Sequence, residues 1–220
     1  MRHRTLVSGF TAVLVLAAVS GRAAQKPQPA VLDDGRLQKS WFGGDFEFRE
    51  TDDIDYLWVK PGFTLDGRSL HFAEWPQPEF IGPDGESRDT KDKRLAQDMA
   101  REMADVFAVG FSNAFGSRLK VSQSEGDLLV EGRIVDCTTG STAAKVFVGF
   151  GAGSGATTID VRFKDAASGE LLMAIHHRVV SGTTWSTTDS KFVDWVDETA
   201  ELLAKKGAEA LYKKGDRVKE

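Results

Sequence analysis

One cysteine and four histidines in 220 residues leave few ligands for soft metals. The lone Cys137 excludes an internal disulfide and any multi-cysteine zinc site. It can bridge to another chain in an oxidising compartment or sit as a small buried hydrophobe. There is no Gly-x-Ser-x-Gly elbow and no motif around Cys137, so no catalytic residue is assigned. A dinucleotide fingerprint and a phosphate loop are both missing, and no cofactor is expected. No long basic run is present either. Lys205, Lys206, Lys213, Lys214 and Arg217 form the nearest thing to one. They fall near the C-terminus of an expected helix, where cations are favoured by the helix dipole.

The chain contains a single sustained apolar run, Leu6 to Val19, preceded by Arg2, His3 and Arg4 and followed by the small-x-small tripeptide Gly21-Arg22-Ala23. Ser8, Gly9 and Thr11 interrupt it, and it falls short of the ~20 residues needed to span a bilayer. Residues 1–24 therefore read as a cleaved signal peptide, and no transmembrane segment is expected after processing. Cys137 stands far from the cleavage point, so no lipid anchor is expected. Without Arg2, Arg4 and Arg22 the count is 25 basic against 33 acidic residues, and the net charge falls from −5 to −8. Such a balance speaks against nucleic-acid binding, which needs phosphate neutralisation. Periplasmic or secreted localisation is the expectation.

Residues 25–53 carry Pro27, Pro29, Gly35, Gly43 and Gly44 and read as a flexible lead-in. Trp41, Phe42, Phe46 and Phe48 suggest that its second half rests on the body. Residues 54–215 read as a single domain and 216–220 as a tail. Within the domain, Leu95, Met99, Met103, Phe107, Phe111 and Ala114 recur at helical spacing and predict a helix over 90–115, capped by Asp89 or Thr90 and stopped by Gly116. A second helix is expected over 190–213, with Asp189 as a candidate cap. Short strands are expected over 54–59, 69–73 and 144–150, and a longer one over 128–136. The clearest alternation is Thr157, Ile159, Val161 and Phe163 against Thr158, Asp160, Arg162 and Lys164. A hairpin pairing Lys164 with Glu170 sets Val161 against Met173 and Ile159 against Ile175. The fold class expected from these elements is α+β: a mainly antiparallel sheet with one buried face, covered by two amphipathic helices as a two-layer sandwich.

Gly149, Gly151, Gly153 and Gly155 recur at every second position and make the one ligand or interface candidate. On an extended strand they leave a bare stripe that permits close approach. Gly110, Ala114 and Ala108 of the first helix are small enough to meet it. His176 and His177 are neighbours on a strand, so they point to opposite faces and cannot chelate one ion. A zinc site would need His71, one of that pair and carboxylates; no metal site is assigned.

The stretch Val130 to Leu172 carries Glu131-Gly132, then Gly140-Ser141-Thr142-Ala143-Ala144, then Gly149-Phe150-Gly151-Ala152-Gly153, and the turn Asp165 to Glu170. These features resemble the bacterial exported domain of unknown function numbered 4410. The resemblance implies a lipoprotein or secreted protein with no assigned activity and no catalytic residues to carry over. The sequence departs from that pattern in lacking a lipid-attachment cysteine. The function expected is an exported, non-enzymatic envelope or secreted protein, a binding or assembly component with a protein partner in the envelope or a second copy of itself. A periplasmic hydrolase or metal-dependent enzyme is the alternative.

Overall fold

The computed structural model describes residues 35–82, 85–140, 154–181 and 187–212, all within the unit Leu32–Glu220. Helix α1 spans Thr90–Phe115. Asp89 caps it, accepting hydrogen bonds from the backbone N–H groups of Lys91 at 2.7 Å and Asp92 at 2.9 Å. Gly116 ends it with φ +56°. Helix α2 spans Thr188–Lys206. Its cap is Thr187 rather than Asp189, and it stops at Gly207, φ +77°, well before residue 213. A glycine in the left-handed region closes the helix there although the apolar spacing continues to Leu211.

Six strands are present among the described residues: β1 (Tyr56–Val59), β2 (Ser69–Phe72), β3 (Lys120–Ser122), β4 (Leu128–Thr138), β5 (Ala156–Asp165) and β6 (Leu171–Val180). They form one sheet in the order β1-β6-β5-β4-β2-β3. The strand expected over 144–150 lies outside the described residues. β1, β6, β5 and β4 pair antiparallel, whereas β2 runs parallel to both β4 and β3. The sheet is therefore mixed, which corrects the expectation of a mainly antiparallel one. The cause is the connection: α1 lies between β2 and β3 in the chain, and a helical crossover returns the next strand in the same direction.

The β5–β6 register also differs from the one that charge pairing suggests. Val161 opposes Ile175 and Phe163 opposes Met173, a shift of two residues that keeps every side chain on its face. The turn is closed by Asp165 N–H to Glu170 O at 2.9 Å, with Gly169 at φ +75°, and a bulge between Phe163 and Lys164 sets the register. Glu170 instead pairs with Lys60 at 2.6 Å.

Both helices pack on one face of this sheet. Phe107, Phe111, Phe192 and Val196 meet Val130, Ile159, Val161, Phe163 and Ile175 in the main core. Gly110 of α1 faces α2, where an added Cβ would stand 2.9 Å from Asp197 Oδ1. It serves helix–helix contact. The opposite face is covered as well. Phe42 and Phe48 join Tyr56, Leu171 and Ala174 in a second apolar cluster, with Leu37, Trp41, Phe46 and Trp58 around it. The segment 36–48 thus lies as a strap across β1, β6 and β5, so the sheet has two buried faces and not one.

Candidate functional site

The strapped face carries an uncommon row. In register across four strands stand Tyr56 on β1, His176 on β6, Asp160 on β5 and Arg133 on β4. Period-two alternation puts all four side chains on the face away from the helices. Asp160 is 0 % exposed, Arg133 2 % and His176 3 %, so three ionisable groups sit in the interior. Asp160 Oδ1 accepts from His176 Nδ1 at 2.6 Å. Its Oδ2 accepts from Arg133 Nε at 2.8 Å and faces Nη2 at 2.7 Å. A buried carboxylate survives such burial only when it is paired and hydrogen-bonded at both oxygens, as here.

Arg133 reaches outward too. Its Nη1 lies 2.5 Å from Glu79 Oε2 and its Nη2 3.3 Å from Gln38 Oε1 on the strap. Glu79 is placed by its own N–H, which bonds Ile134 O at 3.1 Å and lays the 79–81 segment along β4. Trp41 of the strap sits over two guanidiniums, with Arg133 4.7 Å and Arg162 4.2 Å from the ring centroid. Arg162 also donates to the Trp41 carbonyl and pairs with Glu131 at 2.8 Å. Lys164 shares that carboxylate at 2.6 Å. Burial works against the Glu131 charge, yet its hydrogen bonds to Lys164 and Arg162 hold its pKa below the ordinary value. Further along, Asp136 binds Arg36 at 2.9 Å and Arg88 at 2.7 Å, tying the start of the strap to β4.

On the helix side, His177 stacks on Trp195 with centroids 4.5 Å apart, and its Nδ1 stands 3.0 Å from Asp55 Oδ2. The two neighbouring histidines do point to opposite faces. His71 Nδ1 lies 3.4 Å from Ser122 O. Among the described residues no cluster of histidine, cysteine and carboxylate could hold a metal ion. Cys137 is buried, and desolvation pushes its thiol up to about 11.

Of the glycine candidates, Gly149, Gly151 and Gly153 lie outside the described residues. Gly155 is buried against the end of β4 and the start of α2: an added Cβ would stand 2.1 Å from Thr188 Oγ1 and 2.7 Å from Thr138 O. The Arg133–Asp160–His176 row escapes a reading of the sequence because polar residues at alternate positions look solvent-facing. The available signal was the aromatic set Trp41, Phe42, Phe46 and Phe48, which needs a second apolar surface to rest on.

An imidazole oriented by a carboxylate is the geometry of a general base. Here the carboxylate is shared with a guanidinium and the group is sealed, so the arrangement acts as an internal clamp. No helix among the described residues is long and apolar enough to cross a membrane.

The family described as "Domain of unknown function (DUF4410)" matches residues 62–184. No curated protein matches the chain. The solved structures it resembles include the PelC L103M dodecamer from Paraburkholderia phytofirmans, at 10% identity and a TM-score of 0.43, covering 67% of this chain and 94% of that one. A second PelC dodecamer from the same organism matches at 8% identity and TM-score 0.45, with 67% and 94% covered. Protein XCC0632 from Xanthomonas campestris, of family DUF330, matches at 9% identity and TM-score 0.41, with 70% and 89% covered.

Proposed function

The chain belongs to the DUF4410 family, and from that premise we propose that it is an exported, non-enzymatic envelope or secreted protein that binds or assembles with another macromolecule. A two-layer sandwich of sheet and helices, with the strap as an added cover, is the packing on which this reading rests. The observation that carries it is the closed row: both oxygens of Asp160 are taken by Arg133 and His176, at 0 % exposure. Within this row Arg133 also reaches the strap, through Gln38 and Trp41, so the row's charges are engaged with one another and with the segment that covers them. Export rests on the leader-like residues 1–24. The test is expression of the full chain in a bacterial host, followed by fractionation and intact mass. A periplasmic or secreted product lacking about two dozen residues is expected. A full-length cytoplasmic product overturns export.

A periplasmic hydrolase or metal-dependent enzyme is the competing reading, and one observation favours it: the imidazole of His176 oriented by Asp160. Metal analysis of the purified protein separates the two. Stoichiometric zinc lost on His176→Ala would reverse the ranking.

A further inference from the structure

We propose that the face beneath residues 36–48 is a docking face for a peptide that presents two adjacent aromatic side chains from a single 3-10 turn, with the strap, whose residues Lys39–Phe42 form such a turn, as its resident occupant in cis. This deepens the binding role proposed above and rests on it. The chemistry of the occupant is visible in the contacts. Trp41 lies over the guanidiniums of Arg133 and Arg162, its carbonyl accepts from Arg162, and Phe42 packs beside Phe48 against Tyr56, Leu171 and Ala174. Two cations under an indole, a donor aimed at a main-chain carbonyl and an apolar recess together select an aromatic pair carried on a tight turn, the conformation that Lys39–Phe42 hold in the strap.

Three observations make the strap separable from the body. Its apolar cluster is distinct from the main core that α1 and α2 close, so lifting it leaves that core intact. Among the described residues its backbone-to-backbone hydrogen bonds are local, Trp41 N–H to Gln38 O at 3.0 Å, Gly43 N–H to Ser40 O at 3.1 Å and Phe48 N–H to Phe46 O at 3.2 Å; it meets the strands through side chains, and backbone pairing with a strand begins at Arg49. The surface it covers is charged as well as apolar, through Arg133, Arg162, Asp136 and Asp160, and polar-rich contacts are those found between parts that move apart.

In the unaltered protein the tethered strap outcompetes any free peptide, because a short linker gives it an effective concentration of about millimolar. The experiment therefore weakens the resident segment in the full chain, with Trp41→Ala and Phe42→Ala together, and adds a fluorescein-labelled peptide of residues 36–48. Fluorescence anisotropy should show binding at least about tenfold tighter to this variant than to the unaltered chain, in line with lost cis competition. Adding Arg162→Ala to the variant should abolish that binding. Equal binding to both proteins, or none to the folded variant, overturns the proposal while leaving the non-enzymatic reading in place. A variant that fails to fold, judged by near-ultraviolet circular dichroism, overturns it too, since the strap is then an integral layer. Hydrogen exchange of the unaltered protein gives the independent check. The amides of Trp41, Gly43 and Phe48 should exchange before those of β5, and exchange in step with β5 would count against a displaceable strap.

Discussion

Arg133 and Asp160 oppose each other directly on β4 and β5, with guanidinium Nε 2.8 Å from carboxylate Oδ2 and both side chains shut away from water. Replacing Asp160 with Asn removes the buried carboxylate that offsets Arg133 and leaves that cation with the half-exposed Glu79. Breaking a buried pair in this way costs about 3–5 kcal/mol. Urea unfolding of Asp160→Asn should show a loss of that size. Removing both charges at once, as Arg133→Met with Asp160→Leu, should cost less than the two single changes added together. A loss below about 1 kcal/mol for Asp160→Asn would place the pair among surface-type bridges instead.

Gly132 offers a steric test on the other face. A Cβ there would stand 2.2 Å from Trp75 Cζ2, because the indole lies flat on the β4 backbone. Gly132→Val should destabilise the protein by about 1–3 kcal/mol through overpacking. Trp75→Ala in the same background should recover part of that loss, and the absence of any recovery would detach the glycine from the indole.

Legibility of the fold tracked the period of the signal. α1 reads off its apolar spacing, its cap Asp89 and its stop Gly116, because each is a local cue. β5 reads off strict alternation. β3 does not, since three residues carry no period and its parallel place beside β2 follows from where α1 delivers the chain. The hairpin register was out of reach because the bulge at Phe163 and Lys164 depends on partners and not on neighbours in sequence. The buried row was hidden for a related reason. Arg133, Asp160 and His176 are separated by 27 and 16 residues, and each alone looks like an ordinary outward-facing polar side chain.

Asp55 gives the pH dependence a sign. Burial raises its pKa, but the hydrogen bond and charge of His177 and the Arg178 N–H outweigh that and hold it below its usual value. A carboxylate with a lowered folded-state pKa contributes stability above its unfolded value of about 3.9 and loses it as pH falls through the folded value. Asp55→Asn should therefore be less stable than the parent at pH 6, with the gap closing below about pH 4. Urea midpoints across pH 3–6 check this, and a gap that widened with acid would contradict the pairing.

Cys137 should be silent to thiol reagents. Its thiol, pushed up to about 11 by burial, holds almost no thiolate at pH 8. Labelling with a disulfide reagent should be slow in buffer and complete in denaturant. Fast labelling of the folded protein would show that the β4 end opens.

Guanidiniums of the sheet hold the strap down, and a double-mutant cycle measures that hold. Trp41→Ala, Arg162→Met and the double variant are compared by urea unfolding. The stacking of the guanidinium on the indole predicts a coupling of about 1–2 kcal/mol, between an exposed and a desolvated cation–π contact; the bond to the Trp41 main-chain carbonyl survives Trp41→Ala and stays outside that coupling. Additive losses, with coupling no larger than the ~0.3–0.5 kcal/mol seen for independent sites, would contradict it.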